Sequence, residues 1–179
     1  PKHKYTQWHG YKRVPSWALP YDAKSWVLDK GSLTKRLIDA SKGDFYVNVV
    51  KQGWAYPHLD EIKNLKMSLR TKALVREVEL VCSGEVWVKA RSIIPVSTMT
   101  GSERELKMLG QRPLGAFFFK SKTMRRSNLE LCRFNSDERE HIYGRRSIFY
   151  LSSKPLLVSE FFMPPVFECS SISLPMKGR

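Results

Sequence analysis

A chain of 179 residues is long enough to bury one sizeable core without disulfide or metal staples, and a composition 42% hydrophobic and 12% aromatic excludes intrinsic disorder. The formal net charge of +14 brings an anionic partner into consideration, but Lys and Arg occur in nothing longer than pairs such as Lys12-Arg13 and Arg125-Arg126, so nucleic-acid binding is not the expected function. No apolar run approaches a membrane span and no signal-peptide core opens the chain, which makes a cytoplasmic protein the expectation.

Residues 1–20 are polar, aromatic and punctuated by proline, which reads as an extended arm with Trp8 and Trp17 tucked against the body. Asp22 can cap a short helix through Leu28, and Ser32 a second from Leu33 to about Ser41, ended by Gly43. Two helices broken at Gly31 make a helix-turn-helix able to cover a site, with Leu33, Leu37 and Ile38 on one face of the second helix. Residues 44–53 alternate Phe45, Val47 and Val49 against Tyr46, Asn48 and Val50, as a strand does. Residues 54–72 form a basic connection with a short helix near 59–65, and Lys63, Lys66, Arg70 and Lys72 read as a solvated face.

Runs 74–81 and 85–94 flank Ser83-Gly84, a two-residue hairpin turn. With Cys82 opposite Glu85, the uninterrupted register sets Leu80 beside Trp87, Val78 beside Lys89, Arg76 beside Arg91 and Leu74 beside Ile93. Two arginines opposed on an otherwise apolar face ask for an anion between them. Ser102-x-x-Glu105 has the form of a capping box opening a helix through Leu109, closed by Gly110. Pro113 to Ala116 leads into Phe117, Phe118 and Phe119, expected to start a strand, and 124–134 reads as another.

A charged turn at 136–141 precedes a final hairpin of runs 147–151 and 156–163, whose turn ends at Pro155. Tyr143-Gly-Arg-Arg146 reads as a turn with solvated arginines in preference to an anion clamp. Glu160 is the one ionisable group in the run 156–163, and a carboxylate there needs a cation or a ligand. Arg76 is the expected cation. Beyond Pro164-Pro165 the periodicity is lost, so 166–179 reads as a tail. Cys82, Cys132 and Cys169 have no C-x-x-C spacing, so neither a disulfide framework nor a zinc site is indicated. Strands outnumber helices and are hairpin-linked, which predicts one α+β domain with a largely antiparallel sheet.

Seven words run in order: Ser32-Leu-Thr-Lys-Arg-Leu37, Leu74-Val-Arg-Glu-Val78, Gly84-Glu-x-Trp87, Ala90-Arg-Ser-Ile-Ile-Pro-Val-Ser-Thr98, Leu109-Gly-x-x-Pro-Leu-Gly115, Tyr143-Gly-Arg-Arg-Ser147, and Lys154-Pro-Leu-Leu157 with Glu160. Over about 26–164 this pattern resembles the chorismate pyruvate-lyase family. The resemblance implies about six antiparallel strands, a ligand hidden under helix-turn-helix flaps, and no cofactor. It implies conversion of the dianion chorismate to 4-hydroxybenzoate and pyruvate, on the way to ubiquinone-type quinones. It also places product-site roles on Arg76, Leu114, Glu160 and Leu33, the last standing where the family has methionine.

Arg76 would take the ring carboxylate bidentately, and Glu160 would accept from the ring hydroxyl; these two are the catalytic candidates. Arg91, in the uninterrupted register, would meet the enolpyruvyl carboxylate or the ether oxygen. The expected partner is a small molecule, without nucleic acid or membrane span, and the expected state a monomer. The alternative is a non-catalytic effector-binding domain of the same fold.

Overall fold

The computed structural model describes residues 7–135 and 141–171; parts of the predicted arm (1–6), charged turn (136–140) and tail (172–179) lie outside them. The strands are β1 (His9–Gly10), β2 (Phe45–Ala55), β3 (Ala73–Cys82), β4 (Glu85–Pro95), β5 (Arg125–Arg126), β6 (Glu130–Asn135), β7 (His141–Leu151) and β8 (Lys154–Phe162). All pairings are antiparallel, in the order β1-β6-β7-β8-β4-β3-β2, with β5 pairing β7. Six long strands thus carry the sheet, and two strands of two residues extend it. The helices are α1 (Tyr21–Val27), α2 (Leu33–Ala40), α3 (Leu59–Leu65), α4 (Leu114–Lys120) and α5 (Pro165–Ser171).

The β3–β4 hairpin turns at Ser83 and Gly84, with φ of 51° and 78°, the left-handed pair that a tight hairpin requires. Its register departs from the uninterrupted one. Cys82 faces Glu85 and Val81 faces Val86, but Leu80 faces Val88, so Trp87 is the extra residue of a β-bulge. Because side chains alternate, the slip of one residue sends everything beyond it to the other face. Arg76 therefore lies opposite Ser92, and Arg91 opposite Glu77. The opposed arginines do not occur.

One face of the sheet can be followed in transverse rows. Leu80, Val88, Phe162 and Tyr143 form an apolar row under α1, α2 and α5, and Leu74 with Ile94 and Leu156 with Phe149 form another, against Leu106, Leu109 and Phe118. Between them lie two mixed rows: Val78, Ala90, Glu160 and Arg145, then Arg76, Ser92, Val158 and Ser147. The opposite face carries Val75, Ile93 and Leu157 packed on Leu65 of α3, and a polar row of Glu77, Arg91, Ser159, Arg146 and Glu130. Helix α3 docks on that row through charge. Arg91 binds Glu61 (2.8 Å) and Glu77, and Arg146 binds Asp60 and Glu130.

Several local expectations are corrected. The aromatic run enters helix α4, not a strand, because it crosses the sheet face, where Phe118 stacks on Phe149 with centroids 4.3 Å apart. The segment 124–134 is two strands, β5 and β6, both paired to β7. Gly101–Met108 is a 3-10 turn without a side-chain cap, and its buried Glu103 binds Lys154 at 2.7 Å. Pro155 lies within β8, opposite Tyr150. The predicted tail begins with α5, whose Val166 is fully buried. Trp17 is 84% exposed, whereas Trp8 lies over the Arg146 guanidinium. Ile38 is exposed, and Leu33 and Leu37 are buried. Burial pushes the Cys132 thiol up to about 12 and the Cys82 thiol up to about 11, so neither is a nucleophile near neutral pH.

Two predictions follow from close contacts. A Cβ on Gly144 would sit 3.0 Å from Phe161 Cδ1 and closer still to Cys132 Sγ. Gly144→Ala should cost about 1–3 kcal/mol, and adding Cys132→Ala should recover part of it in thermal melts. The hydrogen bond from Lys154 holds the Glu103 carboxyl below its usual 4.5. A depressed carboxylate contributes stability that is full above 4.5 and lost as pH falls through the lower folded value. The melting-temperature gap between wild type and Lys154→Met should therefore be present at pH 7 and narrow at pH 3.

Candidate active site

The two mixed rows floor a cavity of about 230 Å³, the size of a single small ring compound. Its cover comes from two helix starts. Ser32 accepts from the Lys35 amide and so begins α2, placing Leu33 and Thr34 over the cavity. Pro113 precedes α4, placing Leu114 and Gly115 over it from the other side. The covers meet where a Cβ on Gly115 would lie 3.1 Å from Thr34 Oγ1, close enough that the Thr34 side chain would have to give way. Residues 21–40 are the helix-turn-helix flap that the sequence predicts.

The charged groups of the cavity are held differently. Arg145, 2% exposed, donates from Nε to Glu160 Oε2 at 2.5 Å and from Nη1 to the carbonyl of Asp29 at 2.7 Å, with longer bonds to those of Trp26 and Val27. It thereby satisfies carbonyls left open at the end of α1 and ties the flap to the sheet. The flap is braced on its outer side by Arg36, which lies 3.8 Å from the Trp26 ring centroid and binds Asp29 at 2.9 Å. Burial works against the Asp29 charge, but the Gly31 amide and Arg36 outweigh it and hold the carboxyl below its usual range.

Arg76, also 2% exposed, donates to Gln52 Oε1 (2.7 Å) and to the carbonyls of Gly110 (2.9 Å) and Arg112 (3.2 Å). These are neutral acceptors, and burial lowers its pKa. Arg126 completes the set, with Nε donating to Ser147 Oγ at 3.0 Å. With Lys30 at the rim, three guanidiniums and an ammonium thus line a cavity that holds one carboxylate, an excess of three positive charges.

Leu33, Arg76, Leu114 and Glu160, drawn from four separate segments, all line this cavity. Arg76 and Glu160 share it without forming an ion pair; the partner of Glu160 is Arg145. Arg91 is not part of it. The bulge at Trp87 turns Arg91 to the opposite face, where Glu61 and Glu77 neutralise it. Arg145 and Arg146, read from sequence as solvated, are both buried. Counting back from the Ser152-Ser153 turn pairs Arg145 with Glu160 directly, so the signal for that contact was present. Arg126, in a two-residue strand, offered none.

Residues 7–172 match the chorismate lyase family. The chain belongs to the chorismate lyase family. It is 42% identical over 156 residues to a Methylococcus capsulatus protein named "Probable chorismate pyruvate-lyase", covering 81% of this chain and 96% of that one. It is 33% identical over 154 residues to the chorismate pyruvate-lyase of Escherichia coli O17:K52:H18, covering 86% and 88%. Among solved structures, PhnF from Mycobacterium smegmatis matches with a TM-score of 0.56 at 12% identity, covering 77% of this chain and 66% of that one. A GntR-family transcriptional regulator from Bacillus cereus matches at 0.51 and 6% identity, covering 76% and 98%. At such identity these two share the fold alone. No helix among the described residues is long and apolar enough to cross a membrane.

In this lyase-family chain, Arg145→Met leaves Glu160 without its cation and opens the flap carbonyls. It should cost about 3–5 kcal/mol in urea unfolding, and combining it with Glu160→Gln should cost less than the two single losses added.

Proposed function

We propose that the protein is a chorismate pyruvate-lyase, converting chorismate to 4-hydroxybenzoate and pyruvate. The observation that carries this reading is that a chain of the chorismate lyase family gathers Leu33, Arg76, Leu114 and Glu160 at one cavity with a surplus of positive charge. Chorismate is a dianion whose ring aromatises when the ether C–O bond breaks and the adjacent ring hydrogen leaves. The driving force lies in the substrate, so the protein need only bind, orient and stabilise developing charge.

In this reading Arg76 takes the ring carboxylate, a planar fork meeting a planar anion. Glu160, fixed by Arg145, accepts a hydrogen bond from the ring hydroxyl. Leu33 and Leu114 close apolar contacts over the ring, which shuts out water and strengthens both polar interactions. The proposal includes a monomer acting in the cytoplasm without nucleic acid, and a product that enters quinone synthesis. Regulators share the fold, and the family match favours the enzyme over a ligand sensor.

The test is to incubate purified protein with chorismate and follow 4-hydroxybenzoate by absorbance. Arg76→Met and Glu160→Ala should each lower kcat/KM by about 100-fold or more while the circular dichroism spectrum is retained. Near-wild-type turnover by either variant defeats the assignment.

A further inference from the structure

We infer that Arg126 is the anchor for the second carboxylate of the substrate, the one carried by the enolpyruvyl group, and that it separates substrate from product. This deepens the lyase reading and rests on it. Arg76 and Arg126 stand at opposite ends of one transverse row. Arg76 faces Ser92, Ser92 faces Val158, Val158 faces Ser147, and the Ser147 hydroxyl receives Arg126 Nε at 3.0 Å. Arg76 is on β3 and Arg126 on β5, beyond β7, so their strands are four steps apart, roughly 19 Å at the usual spacing, and both side chains line the one cavity. A molecule with two carboxylates fits such a pair of termini.

Lys30 also lines the cavity but is exposed at its rim, and the other arginines are already committed. Arg145 is taken by Glu160 and the flap carbonyls. Arg91 lies on the far face between Glu61 and Glu77. By contrast, the two terminal nitrogens of Arg126 have no acceptor among the described residues. The side chain is braced by Ser147 and by the Phe149 ring, 5.0 Å from its centroid, so the guanidinium is oriented before any ligand arrives. Burial and the nearby Arg145 lower its pKa while Glu160 and Asp29 act the other way, and a bound anion would add to their effect.

The chemistry makes the two ends unequal. 4-Hydroxybenzoate keeps the ring carboxylate and loses the enolpyruvyl one, so the contact with Arg126 ends when pyruvate departs. Arg126 therefore favours chorismate over the aromatic product, whereas Arg76 holds both. The test compares Arg126→Gln with Arg76→Met by chorismate kcat/KM and by calorimetric affinity for 4-hydroxybenzoate. Arg126→Gln should lower kcat/KM about 10- to 100-fold, mainly through KM, and leave product affinity within about twofold. Arg76→Met should lose both. If Arg126→Gln melts early, Arg126→Lys, which keeps a point charge, should restore part of the KM. Unchanged chorismate kinetics in Arg126→Gln, or an equal loss of product affinity, overturns the inference and leaves the lyase reading standing. A wild-type protein that cannot turn over chorismate overturns both.

Discussion

A buried guanidinium bonded at once to a carboxylate and to the end of a helix makes the cavity and its cover one structure. Arg145 orients Glu160 with one nitrogen and holds the α1 carbonyls with another. Taking both charges out of water costs much of what their attraction returns, so stability alone is a poor reason for the pair. Position is a better one. Glu160 cannot swing, and the flap cannot lift from the sheet without breaking hydrogen bonds to the same residue.

The two faces of the sheet use the same residue types to opposite ends. On the α3 side, Arg91 and Arg146 are each bracketed by two carboxylates, and the result is a helix docked by ion pairs. On the cavity side, Arg76, Arg126, Arg145 and Lys30 line a pocket whose one carboxylate is Glu160. Apolar rows seal both ends of that side, so the surplus charge is expressed in a region of low dielectric, where an anion feels it strongly. The excess positive charge of the whole chain adds long-range steering of anions but does not select among them.

The fold itself is shared with regulators of very low sequence identity, which shows how little a flapped antiparallel sheet says about chemistry. What distinguishes this chain is local. The approach of α2 to α4 at Thr34 and Gly115, and the mixed rows between two apolar ones, build a largely apolar cavity with a few charged groups.

By itself the amino-acid sequence determined the features governed by near neighbours. These are the hairpin at Ser83-Gly84, the Ser32 cap, the short helix at 59–65, the antiparallel α+β class, and the oddity of Glu160 in an apolar strand. The resemblance then pointed to Leu33, Arg76, Leu114 and Glu160, which line one cavity. Apart from Arg145 and Glu160, whose pairing can be counted from their turn, only the tertiary structure decided which arginine faced which acid. The bulge at Trp87 leaves an apolar alternation intact in either register, so nothing local reveals that Arg91 turns away and Arg76 stays. Arg145 and Arg146 are adjacent in sequence yet bind acids on opposite faces, and Arg126 depends on a strand of two residues held by β7. Each of these is a long-range pairing, and charge partners are chosen in space by sheet register, which local spacing does not encode.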